Sequence, residues 1–242
     1  MDKPKKSLGQ NFIKDKNICR KIVSEANVKN KKILEIGPGY GFLTDIILES
    51  NPKKVILIEK DDNIYDYLSH KYKKNKKIVL INMDILKYDL SKNMDNYSII
   101  SNTPYNISSK LIGKIIKNSK YINEAILMLQ KEVAFKYNYK NLKMNKYKFI
   151  TEMSSTYKIC FNVPNQVFFP KPKVKSTIVK FTFKKNKIDW DKVDKFINIV
   201  FSKKRKILSN KIDSDSNNLK LLKKKRIEDL NFSEIMQIYK NL

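Results

Sequence analysis

Between residues 32 and 130, short apolar runs alternate with stretches of helical period, and this alternation is the strongest regularity of the chain. It predicts strands near 32–36, 54–59, 78–82, 97–101 and 124–130, with helices near 42–49, 61–73 and 108–118. Continuous runs such as Val55-Ile56-Leu57-Ile58 suit strands buried on both faces, so the expected fold is α/β, a parallel sheet with helices on both sides. Upstream, Asp15 is placed to cap a helix running to about Ala26, with Ile18, Ile22 and Val23 on one face. Ser108 or Ser109 can cap the helix at 108–118. Residues 131–139 and 148–156 read as helices, and strands at 157–163 and 176–183 follow, joined by a proline-rich loop. Beyond a charged break at 184–188, helices are expected at 190–201, about 203–211 and 233–242, with Phe196, Ile199 and Val200 forming one stripe. The division that results is a large unit over 1–185 and a small helical one over 186–242.

Polar groups sit where the apolar runs stop. The first run leads into Gly37-Pro38-Gly39-Tyr40-Gly41, where missing side chains leave room for a ligand against bare backbone at the start of a helix. The spacing is G-x-G-x-G with Phe42 in the last place of a dinucleotide fingerprint, which disfavours a pyrophosphate-bearing cofactor. The second run ends in Glu59, near the offset at which an acid reaches ribose hydroxyls, and this implies a nucleoside. The third is followed by Asp84 and the fourth by Asn102-Thr103-Pro104-Tyr105. In an open α/β sheet all four positions lie beyond the carboxyl ends of the strands, where ligands bind.

Lys and Arg total 51 against 24 Asp and Glu, a formal net charge of +27 that predicts a polyanionic partner such as RNA or DNA. Abundant Lys, Asn and Ile with Arg at only 20, 205 and 226 also fit a nucleotide bias towards A and T, and that reading stays open beside the first. Cys19 and Cys160 are isolated, without metal-ligand spacing or a disulfide framework, which implies a reducing compartment and core positions. His70, the single histidine, lies in a Lys-rich helical tail and reads as a surface residue, so His-based acid–base and metal chemistry drop out and no metal is expected. No apolar run approaches the ~20 residues of a membrane span, and no signal peptide is evident, so a soluble, cytoplasmic monomer is expected.

The succession of strand-end groups resembles the S-adenosylmethionine-dependent methyltransferases, and residues 102–105 are similar to the N-x-P-Y turn of enzymes that methylate an exocyclic amino nitrogen. Further stretches resemble the ribosomal RNA adenine dimethyltransferases: Ser7-Leu8-Gly9-Gln10-Asn11-Phe12, Gln130-Lys131-Glu132-Val133-Ala134, Pro170-Lys171-Pro172-Lys173-Val174-Lys175-Ser176, Phe201-Ser202-Lys203-Lys204-Arg205-Lys206-Ile207-Leu208 and Arg226-Ile227-Glu228-Asp229-Leu230. The likeness covers nearly the whole chain. Family-like sequence begins at Ser7, which leaves no room for a transit peptide, while a processed precursor stays open.

The resemblance implies a Rossmann-like S-adenosylmethionine methyltransferase fold over 1–185 and a C-terminal helical RNA-binding domain over 186–242. It also implies dimethylation of N6 of two adjacent adenines near the 3′ end of small-subunit ribosomal RNA, on immature small subunits. By the same resemblance Asn11, the backbone of Ile13, Gly37, Glu59, Asp84 and Asn102 contact the cofactor. Asn102 and the carbonyl of Thr103 accept the amine protons, Pro104 stiffens the turn, and Tyr105 and Phe168 clamp the base. Lys203, Lys204, Arg205 and Lys206 grip phosphates. The chain departs from its relatives in three places: Thr103 where Leu is common, Met83 where Gly often stands, and no glycine in 140–148. Two alternatives remain, an erythromycin-resistance-type enzyme acting on large-subunit RNA and a non-catalytic assembly or transcription factor. Residues 130–134 and 170–176 favour the small-subunit class.

Overall fold

The computed structural model describes residues 10–92, 96–137, 143–202, 207, 208, 222 and 224–241. After β1 (Phe12–Ile13) and α1 (Lys16–Ser24), the chain alternates through β2 (Lys32–Ile36), α2 (Phe42–Glu49), β3 (Lys54–Glu59), α3 (Asp62–Lys71) and β4 (Ile78–Asn82). It continues through β5 (Tyr97–Ser101), α4 (Ser108–Lys117), β6 (Ile122–Gln130), α5 (Lys131–Tyr137) and α6 (Lys146–Ser154). The remainder is β7 (Ser155–Val163), β8 (Phe168–Phe169), β9 (Ser176–Phe183), α7 (Trp190–Val200) and, labelled α8, Phe232–Lys240. Every strand and helix expected within the described residues is present, with ends shifted by a few positions. The helix expected at 203–211 lies almost wholly outside them.

Seven strands form one sheet in the order β4-β3-β2-β5-β6-β9-β7, with β9 alone reversed, and β1 pairs with β8 in a separate ribbon. After β2 the chain winds outward through β3 to β4, then returns to the other flank of β2 with β5. The crevice between β2 and β5 is therefore the switch point of the sheet, where loops diverge and leave space at the strand ends.

Strand period explains the two-sided core. On β2 and β3, Ile33, Val55 and Leu57 face one layer, which holds Cys19, Ile22, Val23, Ile46 and Ile47 from α1 and α2. The alternate residues Leu34, Ile36, Ile56 and Ile58 face the other, with Leu111, Ile112, Ile115 and Ile116 of α4. At the edge, β4 has no buried residue, which suits its position.

Local chemistry sets the helix starts, with one correction. Asp15 accepts from the N–H groups of Asn17 and Ile18, as expected. Neither Ser108 nor Ser109 caps α4: Ser108 is its first residue and donates back to the Pro104 and Tyr105 carbonyls, tying the helix to the turn before it. The apolar stripe of α7 is Val193, Phe196 and Val200, while Ile199 is 50% exposed, because positions 193, 196 and 200 share a face that 199 leaves. Cys160 is half-buried where a core position was expected.

The C-terminal helices do not close a core alone. Their cluster includes Met144, Phe149 and Met153, and the Phe149 ring lies 5.5 Å from Phe196, 6.0 Å from Phe201 and 5.7 Å from Phe232. A boundary at 185/186 thus cuts through a shared core. Phe149→Ala should cost about 3–5 kcal/mol, the range for removing a buried aromatic ring. Trp190, the single tryptophan, packs against this cluster and against the core over α4, so its fluorescence during urea unfolding reports the loss. An unchanged midpoint would show that the helices after residue 185 stand without α6.

Candidate active site

One cavity lies at the carboxyl ends of β2, β3, β4 and β5, and its walls include Asn11, Gly37, Glu59, Asp84 and the whole turn Asn102–Tyr105. Residues from four separate strand ends, from Gly37 after β2 to Tyr105 after β5, are thus brought to one place, together with Asn11 from ahead of β1. Ile13 is not a wall of this cavity; it lines a narrow recess next to it, with Gly37 and Asn102.

The glycine loop departs from expectation. Gly37, Gly39 and Gly41 all have positive φ, at 64°, 55° and 81°, so backbone conformation alone favours glycine. The space beside two of them is filled by the chain itself. A Cβ on Gly39 would stand 2.7 Å from the Phe12 ring, and one on Gly41 would collide with the Tyr72 hydroxyl. Only Gly37 has room, facing the Pro104 ring at 3.9 Å. The bare backbone expected for a ligand at all three glycines therefore reduces to Gly37, with Gly39 on the cavity wall under Phe12.

Glu59 is 7% exposed. Its Oε1 accepts from the N–H groups of Lys60 and Asp61 at 2.8 and 2.9 Å, and its Oε2 has a long contact from Gly39 N–H at 3.4 Å. One oxygen is thus committed to the backbone and the other retains acceptor capacity beside the cavity. Burial pushes the carboxyl above the ordinary range, and the three N–H groups oppose it. Asp84 behaves oppositely: its slight burial raises it, but the Leu86 N–H and the Lys60 ammonium outweigh that and hold it below the usual range. The Lys60–Asp84 pair, 2.9 Å long, forms at the cavity's outer edge.

The turn after β5 is anchored at three points. Asn102 Nδ2 donates to the Asn11 carbonyl at 2.7 Å, so the planar amide presents its Oδ1 away from Asn11. Thr103, 1% exposed, donates to Ser101 Oγ, which in turn donates to the Ile36 carbonyl at the end of β2. This relay gives the threonine at 103 a structural use that an apolar residue lacks. Tyr105 shares a 2.6 Å hydrogen bond with Ser176 at the start of β9, and burial pushes its hydroxyl above the ordinary range against that bond.

Phe168 is placed otherwise than expected. It is 5% exposed and packs in the core beneath α1 and α2, paired with Ile13 across the β1–β8 ribbon. Stacking on a base requires an open face, and the ring with one is its neighbour Phe169, 46% exposed with Lys14 Nζ 4.4 Å above it. Lys203, Lys204, Arg205 and Lys206 lie outside the described residues, as do residues 140–142 of the glycine-less loop.

Sequence reasoning missed the apolar walls Ile36 and Ile58 at strand ends, Ile64 in α3, and Ile85 and Ile107 in the connections, because isoleucines at such places look like core. It also missed Asp61, which caps α3 and accepts from Gln10 Nε2 at 2.9 Å, holding the N-terminal segment across the cavity. An acid directly before a helical period was the available signal.

Among the described residues no helix is long and apolar enough to cross a membrane. The model of a family described as ribosomal RNA adenine dimethylase matches residues 1–242. A ribosomal RNA small subunit methyltransferase A of Malacoplasma penetrans is 39% identical over 214 residues, covering 86% of this chain and 77% of the relative. Among solved structures, a dimethyladenosine transferase from Plasmodium falciparum superposes with a TM-score of 0.81 at 26% identity, covering 94% of this chain and 95% of the other. The 23S rRNA methyltransferase ErmE superposes at 0.78 with 17% identity, over 96% and 99% of the two chains, a likeness of fold alone.

Beneath the glycine loop, Glu35 is 1% exposed and accepts from the Thr44 hydroxyl at 2.7 Å. Burial pushes its carboxyl up to about 8 against that bond, with Asp45 acting in the same direction. A carboxyl that holds its proton more tightly when folded makes stability fall as pH rises from the ordinary carboxylate range towards 8. Glu35→Gln keeps an acceptor for Thr44 without titrating. Its unfolding free energy should lack that fall, the two proteins diverging by at most about 1.4 kcal/mol per pH unit across the window. Parallel curves of stability against pH would contradict the assignment.

Proposed function

The chain belongs to the ribosomal RNA adenine dimethylase family, and from that membership we propose that it dimethylates N6 of two adjacent adenines near the 3′ end of small-subunit ribosomal RNA, with S-adenosylmethionine as methyl donor. The observation that carries the reading is the orientation of Asn102, whose side-chain oxygen is turned away from Asn11 within a cavity that Glu59 also lines. Immature small subunits are the proposed partner. The shared fold with a 23S enzyme leaves the choice of RNA to the relatives that are closer in sequence, which are named for the small subunit.

The residues present suit such a cofactor. Glu59 Oε2 is placed to accept from ribose hydroxyls, Asp84 from an adenine amine, and Ile58, Ile64, Ile85 and Ile107 offer apolar surface for the base. Met83, 40% exposed on the same wall, narrows the adenine side. Gly37 admits the methionine portion close to the backbone. S-adenosylmethionine, when bound, supplies a methyl group on a sulfonium that is already an activated leaving group.

The protein's own task is alignment and charge. The N6 lone pair of adenine is delocalised into the ring and attacks poorly. Asn102 Oδ1 and the Thr103 carbonyl accept the two amine protons, which favours a pyramidal nitrogen and stabilises the positive charge that develops on it. Pro104 restricts the turn and removes a competing N–H. Tyr105 offers a ring held in orientation by Ser176, and the open ring of Phe169, in place of the buried Phe168, closes the other side of the base.

Two expected outcomes follow from this division of roles. Glu59→Ala should weaken S-adenosylmethionine binding without RNA by about 1.5–3 kcal/mol, the range for hydrogen bonds to charged groups. Calorimetry giving unchanged affinity for a folded variant would remove Glu59 from the site. Asn102→Ala should leave both ligands bound and slow single-turnover transfer by about 10²–10³, the usual loss for one preorganised contact to developing charge. Near-normal transfer by that variant would place the chemistry elsewhere.

A further inference from the structure

A second concave site lies on the far side of the Tyr105–Ser176 bond. A groove of about 500 Å³ is lined by Lys131, Lys171, Lys175, Asn162, Asn165 and Ser176, with Val163, Pro164 and Gln166 completing it. Its three ammonium groups come from two separate pieces of backbone. Lys131 opens α5, Lys171 and Lys175 lie in the loop before β9, and the Lys131 N–H donates to the Lys175 carbonyl at 2.9 Å, fixing the two segments together. Asn165 Nδ2 donates to the Pro172 carbonyl, which fastens that loop to the end of β7.

The charge here is not neutralised locally. No carboxylate lines the groove, and among the described residues none of the three lysines is in an ion pair within 4.0 Å. Glu132 stands in the adjoining depression with Lys131 and Lys175, leaving the balance positive. Lysines elsewhere are committed, such as Lys180 to Glu124 at 2.7 Å and Lys71 to Asp45 at 2.8 Å. Phe169, just ahead of this loop, and Val174, between Lys173 and Lys175, are also exposed, and cations beside open apolar faces are what a single-stranded nucleic acid engages through phosphate and base.

We infer that the groove between Lys131, Lys171 and Lys175 is a phosphate-binding subsite of the catalytic domain, holding the RNA backbone beside the nucleotide whose base enters at Tyr105. The assignment rests on the RNA substrate proposed above. Ser176 links the two sites physically, since it lines the groove and hydrogen-bonds the Tyr105 hydroxyl. Backbone capture there adds affinity without reading sequence and sets the register of the target base.

The test uses the full-length protein with Lys131→Ala, Lys171→Ala and Lys175→Ala, naked small-subunit ribosomal RNA and immature small subunits. Each variant should flatten the slope of log affinity against log salt by about 0.7–0.9 per lost phosphate contact. Calorimetric S-adenosylmethionine affinity should stay unchanged, because none of the three lysines lines the cofactor cavity. Lys175→Arg should restore the slope, which separates lost charge from a disturbed fold. Unchanged slopes on an RNA that the wild-type protein methylates would overturn the subsite and leave the substrate assignment standing. So would a loss confined to whole subunits with naked RNA unaffected, since the groove would then meet a protein. If the wild type methylates only large-subunit RNA, the substrate assignment fails, and the slopes measured on that RNA still decide the subsite.

Discussion

The hydrogen bond from the Asn102 amide to the Asn11 carbonyl, 2.7 Å long, decides which way the acceptor of the site faces. An asparagine has a donor end and an acceptor end on one plane, and holding the donor leaves the acceptor free. That single bond needs two distant pieces of chain in register. Asn102 is placed by β5, which lies against β2 at the switch point of the sheet, and Asn11 is placed by β1, which pairs with β8. Phe12, next to Asn11, seals the glycine loop and stacks edge-on against Tyr40 at 4.9 Å. The N-terminal segment therefore acts as a clasp on the site, and Gln10 extends it to Asp61 beyond β3.

The parallel sheet was legible because its strands are near-continuous apolar runs and its helices amphipathic, two periods that do not imitate each other. The polar strand ends were legible for the same reason: Glu59 closes its apolar run, and Asp84 and Asn102 follow within two residues of where their strands stop. What sequence could not show was which neighbour fills the space a glycine leaves. Phe12 and Tyr72 are 27 and 31 positions away from the glycines they cover, and nothing local announces the pairing. Phe168 and Phe169 illustrate a related limit. They are adjacent and chemically identical, and in a two-residue strand they face opposite sides, so burial of one and exposure of the other rests on the register with Ile13 and Phe12. The stripe on α7 failed at Ile199 because its neighbour Val200 satisfied the same local spacing.

Charge and core are organised on different scales. Phe149 joins the helices after residue 185 to α6, so the two expected units share packing. The surplus of lysine, ambiguous as composition, gains meaning from position. Lysines at 71, 143, 180 and 225 sit against acids, whereas those at 131, 171 and 175 face a groove beside the catalytic turn. Nucleotide bias can raise the number of lysines but does not select a groove free of carboxylates.

The chemistry of this family is methyl transfer to adenine in ribosomal RNA, and for this chain it comes down to N6 of small-subunit adenines. Mass mapping of ribosomal RNA after incubation of the purified protein with isotope-labelled S-adenosylmethionine and a mixture of immature small and large subunits tests it most directly. Label should be confined to small-subunit RNA, as N6,N6-dimethyladenine at two adjacent positions near the 3′ end. Label in large-subunit RNA, on another base, or in neither RNA would contradict it.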